Sequence, residues 1–126
     1  MKMRTLTILL GLVLCLPSVG ADKKPLTKEK SARHAKVIEA AIRIAAKKPT
    51  GELTKEDFEK VTNLWLEYKR LTSVKGLEKL NQLKYLTLSD NQLTDVKGLE
   101  KHTQLKSLVL DRNQLTDVKG LEKLTQ

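Results

Sequence analysis

The segment Leu83-Lys-Tyr-Leu86-Thr-Leu88-Ser-Asp-Asn91-Gln-Leu93 holds a short alternation of inward and outward residues followed by a polar turn. Tyr85 to Ser89 carry the two-residue period of a half-buried strand, with Leu86 and Leu88 on the inward side. The same frame stands 22 residues earlier as Val61-Thr-Asn-Leu64-Trp-Leu66 and 22 residues later as Leu105-Lys-Ser-Leu108-Val-Leu110. The register continues through Leu71/Leu93/Leu115, Val74/Val96/Val118, Gly76/Gly98/Gly120 and Leu77/Leu99/Leu121. A fixed period in the twenties denotes a solenoid, in which each repeat is one unit that buries its apolar face only against its neighbours. About a dozen residues return the chain from one strand to the next, which is tight for a full α-helix with its loops. A 3₁₀ turn or irregular return is expected, with glycine easing the bend.

The frame Leu83-x-x-Leu86-x-Leu88-x-x-Asn91-x-Leu93, continued by Val96-x-x-Leu99, resembles the leucine-rich repeat family. Its 22-residue length resembles the bacterial internalin-like class. The resemblance covers residues 61–126, as repeats 61–82, 83–104 and 105–126, and it implies an α/β solenoid. Short parallel strands are expected on its concave face and 3₁₀ or irregular segments on the return. The first repeat departs from the frame, with Lys69 at the asparagine position. The segment from the basic helix through Phe58 resembles the helical N-terminal caps that precede such repeats.

Outside the repeats, the chain reads as two further parts. Residues 1–21 have a basic start at Lys2 and Arg4, a mostly apolar run from Leu6 to Leu16, and small residues at Val19 and Ala21. This is the pattern of a secretory signal peptide cut before Asp22, and the apolar run is too short to cross a bilayer. Export to the periplasm, the envelope or the outside of the cell is therefore expected. Cys15 is the only cysteine and lies within this segment. Leu12-Val-Leu-Cys15 is the other reading, a lipid-attachment site, although Leu14 stands where a small residue is usual. With residues 1–21 removed, no cysteine is left for a disulfide or a metal site.

Residues 22–60 form a basic helical segment and N-terminal cap. Thr27 is placed to N-cap a helix reaching about Lys48, stopped by Pro49-Thr-Gly51. Val37, Ile38, Ala41, Ile42, Ile44 and Ala45 fall on one arc of its wheel. Thr54-Lys-Glu-Asp57 reads as a capping box opening a second, short helix ahead of Phe58. The chain has a net charge of +9 in 126 residues, but the excess is local. Residues 22–49 hold nine Lys/Arg against three Asp/Glu, and residues 50–126 hold 13 against 12. The repeats are nearly neutral, so no nucleic-acid partner is expected.

Alternation places Asn63, Trp65 and Glu67, then Tyr85, Thr87 and Ser89, then Ser107, Val109 and Asp111 on the outward side of the three strands. These nine residues are the candidate partner-binding face, with Trp65 and Tyr85 as anchors among only four aromatic residues. Asn91 and Asn113 are expected to form a structural ladder, their amides pairing with backbone groups of the turns. His102 takes the slot of Leu80 and Leu124 and reads as an edge substitution; His34 reads as a packing residue on the apolar side of the helix. Asp95 and Asp117 are expected to fix turns through local backbone amides. No metal or cofactor site is expected, and no nucleophile–base set or phosphate-binding loop points to catalysis.

Two functions follow. The first is an exported binding module that holds a protein, ahead of a glycan, on its concave face without catalysis. The second is an envelope-surface or anionic-lipid associating protein that uses the basic amphipathic helix 27–48. The apolar arc of that helix discriminates, since it cannot both cap the leucine core and insert into lipid. Leu108, Leu110, Leu115, Leu121 and Leu124 have no polar C-terminal cap after them, and self-association through that end is a further expectation.

Overall fold

The computed structural model describes residues 28–124. The signal-peptide reading, Cys15 and the proposed cap Thr27 lie outside the described residues. Two compact units divide at Ser31/Ala32; the first, Met1–Ser31, is described only over the opening turn of the first helix, and the second is Ala32–Gln126.

Helix α1 runs Lys28–Ala45. It stops short of Lys48 because Lys47 turns left-handed at φ 57°. Lys47 N–H donates to Ile44 O at 3.1 Å and Lys48 N–H to Arg43 O at 2.9 Å. That pair of bonds is a Schellman ending, here with lysine where glycine is commoner. Arg43 ties down the exit by donating to Gly51 O at 2.9 Å. Helix α2 is one turn, Lys55–Glu59, and opens with a full capping box in which Thr54 and Asp57 exchange side-chain and backbone bonds. Asp57 is buried and also accepts from Lys48 Nζ at 2.7 Å. These contacts hold its carboxyl well below the usual carboxylate range, the Lys48 bond first and the Thr54 amide second.

Strands β1 (Asn63–Trp65), β2 (Tyr85–Thr87) and β3 (Ser107–Val109) form one parallel sheet in the order β1-β2-β3. The register pairs Leu64 with Leu86 and Leu86 with Leu108, a shift of one repeat at each step. Each return begins in a tight turn of i→i−3 bonds, such as Leu77 N to Val74 O, Leu99 N to Val96 O and Leu121 N to Val118 O. Two of these returns form 3₁₀ turns, at Leu99–Lys101 and Leu121–Leu124. Gly98 sits at φ 103°, a conformation L side chains seldom adopt. Its amide and that of Gly120 each donate to the glutamate two residues on, Glu100 and Glu122, at 2.7 Å. Asp95 and Asp117 accept from the amides of Lys97 and Lys119 in the same way, fixing the preceding bend.

The interior is one leucine column. Leu64, Leu66, Leu71, Leu77, Leu80, Leu83, Leu86, Leu88, Leu93 and Leu99 are all buried. Each contributes roughly 1.5–3 kcal/mol relative to an exposed side chain. Ile38 and Ile42 of α1 are buried in the same cluster, with His34 one turn before them on the same side. Ile44 departs from the expected arc: it is 79% exposed. It stands about 200° round the wheel from Ile42, so the roll that buries Ile38 and Ile42 turns Ile44 outward. Leu108, Leu110, Leu115, Leu121 and Leu124 are partly buried against the core instead of fully uncovered.

His102 corrects a second expectation. It is an interior residue, 1% exposed, and not an edge substitution. Its Nδ1 lies 3.1 Å from Leu80 O, in the slot one repeat earlier. A ring nitrogen facing a carbonyl must carry the proton, so Nε2 is left as a buried acceptor, and no partner meets it among the described residues. Burial pushes the imidazole below its ordinary value, only partly opposed by the Leu80 carbonyl.

Candidate functional site

The outward residues of the strands build three rows across the sheet. Asn63, Tyr85 and Ser107 are register partners, as are Trp65, Thr87 and Val109. Strand spacing sets neighbours in a row about 4.8 Å apart. Trp65 is 61% exposed and Tyr85 45%, and Val109 and Ser107 are exposed beside them. Asn63 is half-buried. Thr87 lies half-buried between Trp65 and Val109, and its Oγ1 is buried without a hydrogen-bond partner among the described residues.

The third row, Glu67, Ser89 and Asp111, is not uniform. Glu67 and Asp111 are exposed, whereas Ser89 is 7% exposed and donates its hydroxyl to Asp111 Oδ1 at 2.6 Å. Ser89 is therefore a brace between repeats and offers no free hydroxyl to a ligand. One residue further on, Tyr68, Asp90 and Arg112 all adopt left-handed backbone, at φ 58°, 55° and 55°. Arg112 pairs with Asp90 at 3.3 Å, and that carboxylate raises the guanidinium above its ordinary value.

Behind this row the asparagines join the repeats. Asn91 Oδ1 accepts from Lys69 N at 3.1 Å and Leu71 N at 2.9 Å. Its Nδ2 donates to Leu66 O and Leu88 O, both at 2.8 Å. Asn113 repeats the pattern, accepting from Leu93 N at 3.0 Å and donating to Leu88 O and Leu110 O at 2.9 Å. The first turn has Lys69 in place of asparagine, and it carries a second left-handed residue, Arg70 at φ 55°. It is held from outside by Asn91.

The sequence matches the family model for leucine-rich repeats, in two copies, over residues 59–101. In fold, the chain is similar to an internalin (inlF) of Listeria monocytogenes, with 32% identity and a TM-score of 0.64 over 74% of this chain. It is similar to internalin C2 (inlC2) of the same organism, with 30% identity and a TM-score of 0.65 over 70% of this chain. The chain carries leucine-rich repeats and folds as the bacterial internalins do. No curated protein matches it. The chain spans 27% of the length of the first internalin and 40% of the second.

In this internalin-like solenoid the aromatic face continues onto the cap. A trough of about 410 Å³ runs between α1 and β1, lined by Val37, Ala41, Ile44 and Ala45 with Leu64, Trp65 and Lys69. Sequence reading missed Ile44 and the exposed Tyr68 as surface candidates. The signal was present for Ile44, since Val37, Ala40, Ala41 and Ile44 follow the i, i+3, i+4, i+7 spacing of a second apolar seam. No group of His, Cys, Asp and Glu among the described residues is arranged to hold a metal ion.

Proposed function

We propose that this protein is an exported binding module that holds a protein partner on the outward face of its strands and performs no catalysis. One observation carries the reading: Trp65, Tyr85 and Val109 remain exposed on a sheet whose inward leucines are buried in the core or packed against it. Large aromatic side chains held on fixed strands lose little entropy on binding, and they dominate interface energetics. Asn63, Glu67, Thr87, Ser107 and Asp111 supply the surrounding polar contacts. Ser89 acts through Asp111. Asn91 and Asn113 keep the face stiff without touching the partner. Export rests on the composition of residues 1–21.

The lipid-associating alternative loses its main support. Ile38 and Ile42, on one side of the apolar arc, are in the leucine core, and Val37, Ala41 and Ala45 are partly buried against it. Among the described residues no helix is long and apolar enough to cross a membrane.

The test is capture from the source cell envelope by wild-type protein and by a Trp65→Ala/Tyr85→Ala variant with matched circular dichroism. Both residues are exposed, so the variant is expected to fold. A protein captured by wild type and lost in the variant supports the proposal; equal capture by both moves binding off the strands.

A further inference from the structure

We infer that the trough between α1 and β1 receives an amphipathic helix of the partner, apolar along one stripe and acidic at one end. The inference rests on the reading of the neighbouring strand face as a partner surface, and it names the chemistry of what sits there. Helix α1 carries two apolar seams. His34, Ile38 and Ile42 face the core, while Val37, Ala40, Ala41, Ile44 and Ala45 line the trough. The second seam spans nine residues, a rise of about 12 Å at 1.5 Å per residue, slightly over two helical turns. Three of its five members are alanine, which lets another helix backbone approach closely, and Ile44 and Trp65 stand as the larger walls. A seam of i, i+3, i+4, i+7 positions is the complement of a helix with the same spacing.

Charge selects the occupant further. Lys69 lines the trough, and Lys47 lines its continuation past Ala40, Ile44 and Pro49. Among the described residues no carboxylate lines either part. Neither ammonium has an ion-pair partner among the described residues, whereas Arg43 is already bonded to Glu39 and Gly51. The other flank of α1 differs: Glu39 and Glu52 stand there with Arg43 and Lys79, so its charges are balanced. An apolar stripe with carboxylates at one end fits the first flank and not the second.

Trp65 is the single tryptophan of the chain and forms a wall of the trough, so its emission reports occupancy directly. The probe is a lactam-stapled helix of about four turns, free of tryptophan and tyrosine, with leucines at i, i+3, i+4 and i+7 and glutamates in its first turn. Stapling is needed because so short a helix is marginal in water. The expected result is a saturable blue shift, with the lysine-for-glutamate probe at least about tenfold weaker. Ile44→Gln and Ala40→Gln, both at exposed positions, are expected to weaken binding about tenfold without change in circular dichroism. Lys47→Glu/Lys69→Glu is expected to invert the preference between the two probes.

Equal affinity for both probes, or full binding by Ile44→Gln, overturns the inference. So does an equivalent shift with phosphatidylglycerol vesicles or palmitate, which assigns the trough to an acyl chain. Loss of envelope capture in Tyr85→Ala with capture intact in Ile44→Gln also removes the helix site, while leaving the strand-face proposal standing. Probe binding with the full charge inversion, with envelope capture lost in Ile44→Gln but indifferent to Tyr85→Ala, supports the trough and rejects the strand face.

Discussion

Asn91 and Leu71 lie 20 residues apart in the chain, and Asn91 Oδ1 accepts the Leu71 amide at 2.9 Å in the protein interior. One side chain thus closes the turn of the repeat before its own while bonding its own strand end at Leu88 O. Such cross-repeat bonds tie the turns together beside the leucine core, and the proposed binding face lies on the strands that they join.

Removing this bridge strands several buried groups at once. Asn91→Ala leaves the Lys69 and Leu71 amides without their acceptor, and each buried unpaired group costs about 1–3 kcal/mol. A loss of about 3 kcal/mol is expected in urea unfolding. Asn113→Ala is expected to cost only about 1 kcal/mol, because Asn113 is half-buried and water can replace part of its bonding. Equal losses for the two variants would count against burial as the source of the difference.

His102→Leu is expected to stabilise the protein by about 1 kcal/mol near neutral pH, since it removes the unpartnered Nε2 and restores the residue type of Leu80. Leu80 O keeps the Leu83 amide as a donor. The pH dependence has a definite sign. Burial lowers the folded imidazole below the ordinary 6.5, so below that pH the unfolded chain binds a proton that the folded chain refuses. Stability therefore falls as pH drops through 6.5 toward the folded value, and His102→Leu should flatten that limb. Urea midpoints at about pH 7.5 and about pH 5.5 measure both effects.

Asp57 acts in a more acidic window. Its folded pKa is depressed by Lys48 and the Thr54 amide, so its contribution is complete above the ordinary carboxylate value of 3.8 and is lost as pH falls below it. Asp57→Asn is expected to lower the thermal midpoint near neutral pH, and the gap from wild type should close on acidification through the carboxylate range. A gap that stays constant across that range would mean that the ion pair is not the cause.

The period of 22 and the alternation within it sufficed for the strands, their parallel order and the leucine interior, because backbone hydrogen bonding and apolar burial repeat wherever the residues repeat. The asparagine positions were equally legible, as were the turn-fixing aspartates. Three things were decided only in three dimensions. Ser89 was withdrawn from the surface by a hydroxyl bond to a residue 22 positions away. His102 became interior because the stack covers its slot from both sides, which a leucine-to-histidine change in sequence does not announce. The roll of α1 set which of its two apolar seams faces the core and which, with Ile44, borders Trp65. A repeat pattern states what each residue does relative to its own strand; which neighbours cover it depends on how the cap and the rungs meet.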